Sequence, residues 1–290
     1  MPTIGGVAMI KPSGPQSAPG RAASEIEATL QWATAAVNQG RGEDAERFAR
    51  NVLGRIAQHP TALHLLGCAL LLQGRPAQAV APLEKAARAR QDPAIETQLA
   101  IALRQIGRTE DALARVTRAT KRRPAHADAF HELGFLLFSL RRFDEAVAVI
   151  EHGLEAVPGA VELWVQLGGI HHVQRKRAKA KAAYARALAI APDHAGAQYG
   201  IGAVLIDDSE FAPAAEHLRR SLAANAGDLQ ARIKLGVCLL ELGRADEALE
   251  YLRTTIRSDP QFYGSALKLV SSAGRGRFWL RPSAARRMLG

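Results

Sequence analysis

The feature that most constrains this chain is a period. An apolar residue followed by a small one returns as Leu66-Gly67, Leu99-Ala100, Leu133-Gly134, Leu167-Gly168, Ile201-Gly202 and Leu235-Gly236, and the small residues stand 33, 34, 34, 34 and 34 positions apart. A second series, Ala79, Ala112, Ala146, Ala180, Ala214 and Ala248, keeps the same spacing. Prolines read as closing the units at Pro93, Pro124, Pro158, Pro192 and Pro260, with Ala226 where one more is expected. Self-similarity at a fixed period of about 20–50 residues is the signature of stacked repeat architectures.

Within a unit, apolar residues fall at helical spacing twice, with a break between. In one unit they run Trp164, Leu167, Ile170 and then Ala180, Tyr184, Ala187, Leu188. The break carries turn formers. Gly74, Gly107 and Gly243 stand where a first helix ends in a left-handed cap. Small residues on both helices, such as Gly168 and Ala180, let the two backbones approach. Proline removes a donor and forbids helical continuation. Each unit is therefore an antiparallel helix pair that stacks only on its neighbours.

This pattern resembles the tetratricopeptide repeat family: a large residue, Leu-Gly, then an aromatic between alanines, and Pro. The best match is Trp164, Leu167, Gly168, Ala180, Tyr184, Ala187 and Pro192. Six units run from about residue 61 to 260. A weaker one lies upstream, with Trp32, Gly40, Ala45, Phe48 and Pro60, and its second helix reads as about three residues too long. Arg232 replaces the large apolar opener of the last unit, and Ser221 and Thr255 replace small alanines. The resemblance implies an all-α, right-handed superhelical solenoid of about seven helix-turn-helix repeats. The expected organisation is a Pro/Gly/Ser-rich tail over 1–23, an array over 24–260, a capping helix over 261–273 and a basic, aromatic segment over 274–290. The units fall at about 26–60, 61–92, 93–126, 127–160, 161–194, 195–228 and 229–260.

The net charge of +10 suggests nucleic acid until it is divided. Residues 1–24 carry +2 and residues 261–290 carry +6, so the array itself holds only +2. Few exposed aromatics accompany the cations, and a phosphate-binding body is poorly supported. No stretch approaches the roughly 18 uninterrupted apolar residues that span a bilayer. The opening MPTIGGVAMIKP lacks a basic region ahead of a long apolar core, so it does not read as a signal peptide. Cys68 and Cys238 are too few for a zinc site or a disulfide framework. A cytoplasmic location is the expectation.

The resemblance places the partner-binding groove on the first helices of the units. It predicts Phe135, Phe138, His172, Tyr199, Ile206, Val237 and Leu240 as a largely apolar lining, with Val165, Val173, Asp207, Ile233 and Glu241 beside them. Such a groove suits an amphipathic helix or an extended apolar peptide. The array has no Asn at the groove positions where some relatives clamp a C-terminal carboxylate, so that mode is not expected. The reading is a non-enzymatic scaffold for a protein partner, without cofactor or metal. Adjacent His171 and His172 diverge by about 100° on a helix and cannot share an ion easily. Nothing resembles a nucleophile elbow, a phosphate-cradling glycine loop or a dinucleotide fingerprint. A second reading is an RNA- or polyanion-binding protein. It would use a basic rim of Arg175, Lys176, Arg177, Lys179 and Lys181 together with the C-terminal arginines. The segment Phe278, Trp279, Leu280, Arg281 has three readings: a cap on the last pair, a docking peptide for a partner or another copy, or a contact with an anionic membrane surface.

Overall fold

A computed structural model describes residues 18–258, 260, 263 and 264. The segment Phe278 to Arg281 and all of the predicted cap except Tyr263 and Gly264 lie outside the described residues, as do residues 1–17. Among the described residues every regular element is helical. They form seven pairs: α1 (Ala18–Asn38) with α2 (Gly42–Arg55), α3 (Pro60–Leu72) with α4 (Pro76–Ala89), and α5 (Pro93–Gln105) with α6 (Thr109–Thr120). There follow α7 (Ala127–Ser139) with α8 (Phe143–Ala156), α9 (Val161–Val173) with α10 (Arg177–Ile190), α11 (Ala195–Asp207) with α12 (Phe211–Ala224), and α13 (Leu229–Glu241) with α14 (Ala245–Ser258). The chain divides into two compact bodies after Arg122, the first holding α1 to α6 and the second α7 to α14. Each is a helical-repeat solenoid.

Each pair closes on the same device. A bulky side chain of the second helix enters a notch that a glycine leaves in the first: Leu83 at Gly67, Ile150 at Gly134, Tyr184 at Gly168, Leu218 at Gly202 and Leu252 at Gly236. A Cβ on Gly67 would stand 2.3 Å from Leu83, and one on Gly168 2.7 Å from the Tyr184 ring. Where the notch residue is alanine, the opposing residue shrinks, as in Ala33 with Ala49 and Ala100 with Val116. The Tyr184 ring also lies against Gly200 of the following pair, where a Cβ would come within 2.3 Å. Burial pushes its hydroxyl up to about 12.

The turn inside each pair needs one left-handed residue. Gly40, Gly74, Gly107 and Gly243 supply it at φ of 70°, 67°, 82° and 76°. Arg141, Arg175 and Ser209 do so at 60°, 58° and 60°, although a Cβ disfavours that conformation. The loops between pairs are tied down by the next helix. The Trp164 indole N–H donates to the Pro158 carbonyl at 3.1 Å and the Gln198 amide to the Pro192 carbonyl at 2.7 Å. The Arg232 guanidinium donates to the carbonyl of Ala226, the residue standing in for the missing proline.

The structure corrects three details of the sequence reading. Helix α1 begins at Ala18, inside the segment whose composition predicts a tail. Pro60 and Pro93 are first residues of α3 and α5 and open helices, where a missing N–H costs nothing. Helix α2 has 14 residues, as do α4, α8, α10 and α12, so the second helix of the first pair is not overlong. The misreading came from anchoring on Trp32 and Phe48. The register there is carried by Ala33, Ala36, Ala45, Ala49 and Val52, all 0% exposed, while Trp32 is 57% exposed.

Candidate binding groove

In the second body α7 packs on α9, α9 on α11 and α11 on α13, whereas no comparable packing joins α8, α10, α12 and α14 to one another. The odd helices therefore form the short, inner side of the stack and the even helices the spread outer side. All seven predicted groove residues lie on these inner helices, within this one body.

They are not equally available. Phe135 on α7 is 41% exposed and Val173 at the end of α9 is 52% exposed. Phe138 is half-buried, with its ring 5.4 Å from that of Phe143 on α8. Tyr199, Ile206 and Leu240 are half-buried and pack partly on the core shared by α11 to α14, and Val237 is half-buried on α13. The ammonium of Lys234 stands 5.8 Å from the Tyr199 ring centroid, close enough for a cation–π contact. Burial raises the Tyr199 hydroxyl above its ordinary value, so it is a neutral donor at physiological pH.

The groove floor is stitched across pairs. His172 Nε2 lies 2.9 Å from Asp207 Oδ2, and Gln166 donates to the His131 carbonyl at 3.0 Å. His194 links the same two pairs from the loop end. Its Nδ1 accepts from the Ala197 N–H at 3.2 Å while Nε2 lies 3.0 Å from Glu162 Oε1. These contacts set the spacing of α9 and α11. His171 and His172 do diverge: His171 is buried, and His172 faces the groove edge beside Val173, Arg175 and Asp207. Among the described residues no cluster of three or more His, Cys, Asp or Glu could hold a metal ion. Burial lifts Cys68 to about 12 and Cys238 to about 11, so both are unreactive thiols.

The basic rim is largely paired with acids one repeat away. Lys181 bonds Asp208 at 2.7 Å and Glu210 at 2.8 Å, Arg177 reaches Asp208 at 3.3 Å, and Lys176 stands 3.8 Å from Asp144. The hydrogen bonds to Asp208 and Glu210 raise the Lys181 ammonium, and Lys181 in turn lowers the Asp208 carboxyl. Arg175 and Lys179 have no carboxylate within ion-pair distance among the described residues. Sequence reasoning missed this neutralisation because each acid lies 27 to 32 positions from its cation. The signal was present: Asp144, Asp208 and Glu210 flank the equivalent turns of neighbouring units.

Stacked antiparallel helix pairs, a small-residue notch in each and, in the second body, an inner face of first helices define an all-α helical-repeat protein. Sequence profiles of the tetratricopeptide repeat match residues 30–94, 97–161, 161–194 and 205–271, most of the chain. The chain belongs to the tetratricopeptide repeat family. No curated protein matches it in sequence. Among solved structures it is similar to a chain of the APC/C hetero-tetramer Cut9-Hcn1, with a TM-score of 0.65 and 18% identity over 74% of this chain. That match spans only 43% of the Cut9-Hcn1 chain. Pseudomonas aeruginosa PilF gives 0.61 at 20% identity, over 71% of this chain and 94% of its own. A tetratricopeptide repeat protein of Parabacteroides merdae gives 0.59 at 14% identity, over 92% and 98%. At these identities the likeness is one of fold. No helix among the described residues is long and apolar enough to cross a membrane.

Proposed function

We propose that the protein is a non-enzymatic scaffold whose second body holds a partner's amphipathic helix or extended apolar peptide along α7, α9, α11 and α13. The observation that carries this reading is the exposure of Phe135 and Val173, at 41% and 52%, on the inner helices of the second body, whose other exposed large apolar residues, Leu140, Ile190 and Leu242, stand at helix ends and turns. A protein leaves such side chains in a concavity at a cost in solubility, and they anchor peptides well because an aromatic buries much area with few rotamers. Polar groups at the edges, His172 with Asp207 and Lys234 over Tyr199, give register to a ligand whose affinity is apolar. The Cut9-Hcn1 structure is that of a hetero-tetramer, which accords with a fold that assembles with other chains. The pairing of Lys176, Arg177 and Lys181 with acids weighs against the polyanion reading.

The test is selection from a random peptide library against the full chain, with each selected peptide re-measured on Phe135→Glu. The reading predicts apolar residues at helical or alternating spacing, a loss of at least about tenfold on Phe135→Glu, and little change with salt. Peptides that are acidic, salt-sensitive and indifferent to Phe135→Glu would establish the rim as the working surface.

A further inference from the structure

The inner helices of the second body do not present a uniform floor. At the place of Phe135 in α7 stand Gly169 in α9, Ala203 in α11 and Val237 in α13, at successive steps of 34 residues. Beneath the bare stretch at Gly169 ends one side chain from the outer helices. The Tyr184 ring rises from α10 against Gly168 and Gly200, and its hydroxyl lies between α9 and α11. A Cβ on Gly169 would stand 3.7 Å from that hydroxyl oxygen, with no atom of any other helix within 4 Å, and one on Gly200 would stand 2.8 Å from it. Tyr184 is 4% exposed, yet its hydroxyl has no hydrogen-bond partner among the described residues, and Gly169 above it is partly exposed. Native proteins seldom bury a hydroxyl without an acceptor. Two more donors follow along the floor. The Tyr199 hydroxyl has no acceptor among the described residues, and the Lys234 ammonium, 5.8 Å from the Tyr199 ring centroid, has no carboxylate within ion-pair distance among them.

Resting on the groove reading above, we propose that the crevice at Gly169 is a main-chain recognition subsite. Its occupant is an extended segment of the partner, and one peptide carbonyl of that segment accepts from the Tyr184 hydroxyl. An α-helix cannot serve there, because its carbonyls are consumed within the helix except in the last turn. A strand turns a carbonyl to the same side at every second residue, about 6.6 Å apart, and so can meet a succession of donors. Glycine permits the approach. A side chain at Gly169 would stand between the ligand backbone and the hydroxyl, whereas a bare Cα lets a main chain come close. Tyr199 and Lys234 lie further along the same path, toward α13, and offer their donors to the carbonyls that follow. The subsite thus narrows the partner from any apolar peptide to one bound as a strand.

The test uses peptides selected on the full chain from a random library, re-measured on three variants. Tyr184→Phe keeps the ring in its notches and removes only the hydroxyl, so the urea midpoint should hold. Peptide affinity should fall about three- to tenfold, the usual effect of one hydrogen bond. Gly169→Ala adds a methyl that meets nothing closer than 3.7 Å on other helices, and alanine is the better helix former, so the fold is kept. Affinity should nonetheless drop at least about tenfold as the backbone is held off. In the peptide, one amide-to-ester change, which weakens a single carbonyl as acceptor, should cost a similar factor on the parent and nothing further on Tyr184→Phe. Loss on Phe135→Glu with no change on Tyr184→Phe or Gly169→Ala would overturn this proposal and leave the groove reading standing. So would a bound peptide that is helical, or ester changes that all simply add to Tyr184→Phe. Peptides indifferent to all three variants, or a library that yields no binder, would sink both readings.

Discussion

In the first body glycine stands in the turns, and in the second it stands where helices cross. The turns of the first three pairs use Gly40, Gly74 and Gly107, while two of their three notches are alanines, Ala33 and Ala100. The second body reverses the assignment. All four of its notches are glycines (Gly134, Gly168, Gly202, Gly236), and three of its four turns force a side chain into the left-handed region. Glycine's two properties, a free φ and a missing Cβ, are thus used in different places. The second body gains large interlocking residues, Ile150, Tyr184, Leu218 and Leu252, and carries local strain at Arg141, Arg175 and Ser209. That exchange suits a body with a partly open groove, because deep interlocking holds the inner helices in place without help from a ligand.

Breaking the interlock should have the largest effect. Tyr184→Ala removes the ring that fills notches at both Gly168 and Gly200, and should cost about 3–5 kcal/mol, as aromatic truncations in cores do. Urea unfolding followed at Trp164, with Trp32 and Trp279 replaced, reads the second body alone. A loss below about 1 kcal/mol would contradict the packing described.

The size rule is tested by transplanting the first body's solution into the second. Gly134→Ala places a Cβ 2.5 Å from Ile150 Cδ1 and should cost about 1–3 kcal/mol. In an Ile150→Val background, which copies Ala100 with Val116, most of that cost should vanish. A double-mutant cycle should give a coupling of about 1 kcal/mol or more, and additivity would show that the notch is not tight.

The turns offer a gain. Arg141→Gly, Arg175→Gly and Ser209→Gly should each stabilise the second body by up to about 1 kcal/mol, since a left-handed residue with a Cβ costs roughly 1–2 kcal/mol and glycine returns part of that as chain entropy. Gly74→Ala in the first body should destabilise by a similar amount. Melting temperatures of the four variants settle the sign.

The smallest effect is that of pH. Burial holds His171 and His217 below the ordinary histidine value of 6.5. Lys179 and Lys176 near His171, and Arg220 near His217, act in the same direction, while Gln174 and Glu151 oppose it at His171 and Glu216 at His217. As pH falls through 6.5 the unfolded chain binds protons before the folded one does. The stability these residues give is therefore complete above 6.5 and is lost below it. Urea midpoints of the second body at pH 7.5 and 5.5 should differ in that direction, and His171→Gln should reduce the difference.

The repeat, the helix pairs and their partners were legible in the sequence because each rests on a fixed offset of residue type. Gly168 with Tyr184 and the left-handed glycines are of this kind. The first pair was blurred because its core is alanine, and alanine carries no pattern against an alanine-rich background, so Trp32 and Phe48 drew the register instead. The inner-helix positions were legible as a set but not as a graded surface. Whether Phe138 faces a ligand or Phe143, and whether Lys181 is a free cation or half of a pair with Asp208, depends on side chains brought in from other helices. Nor does the sequence reveal that the Arg232 guanidinium donates to the Ala226 carbonyl, since that follows from the path of the loop.

The most direct test of the account is hydrogen–deuterium exchange of the full chain with and without a peptide selected as above. The account predicts protection on α7, α9, α11 and α13, strongest around Phe135 and Val173, with α8, α10 and α12 unchanged. Protection confined to the outer helices, or to α1 to α6, would contradict it.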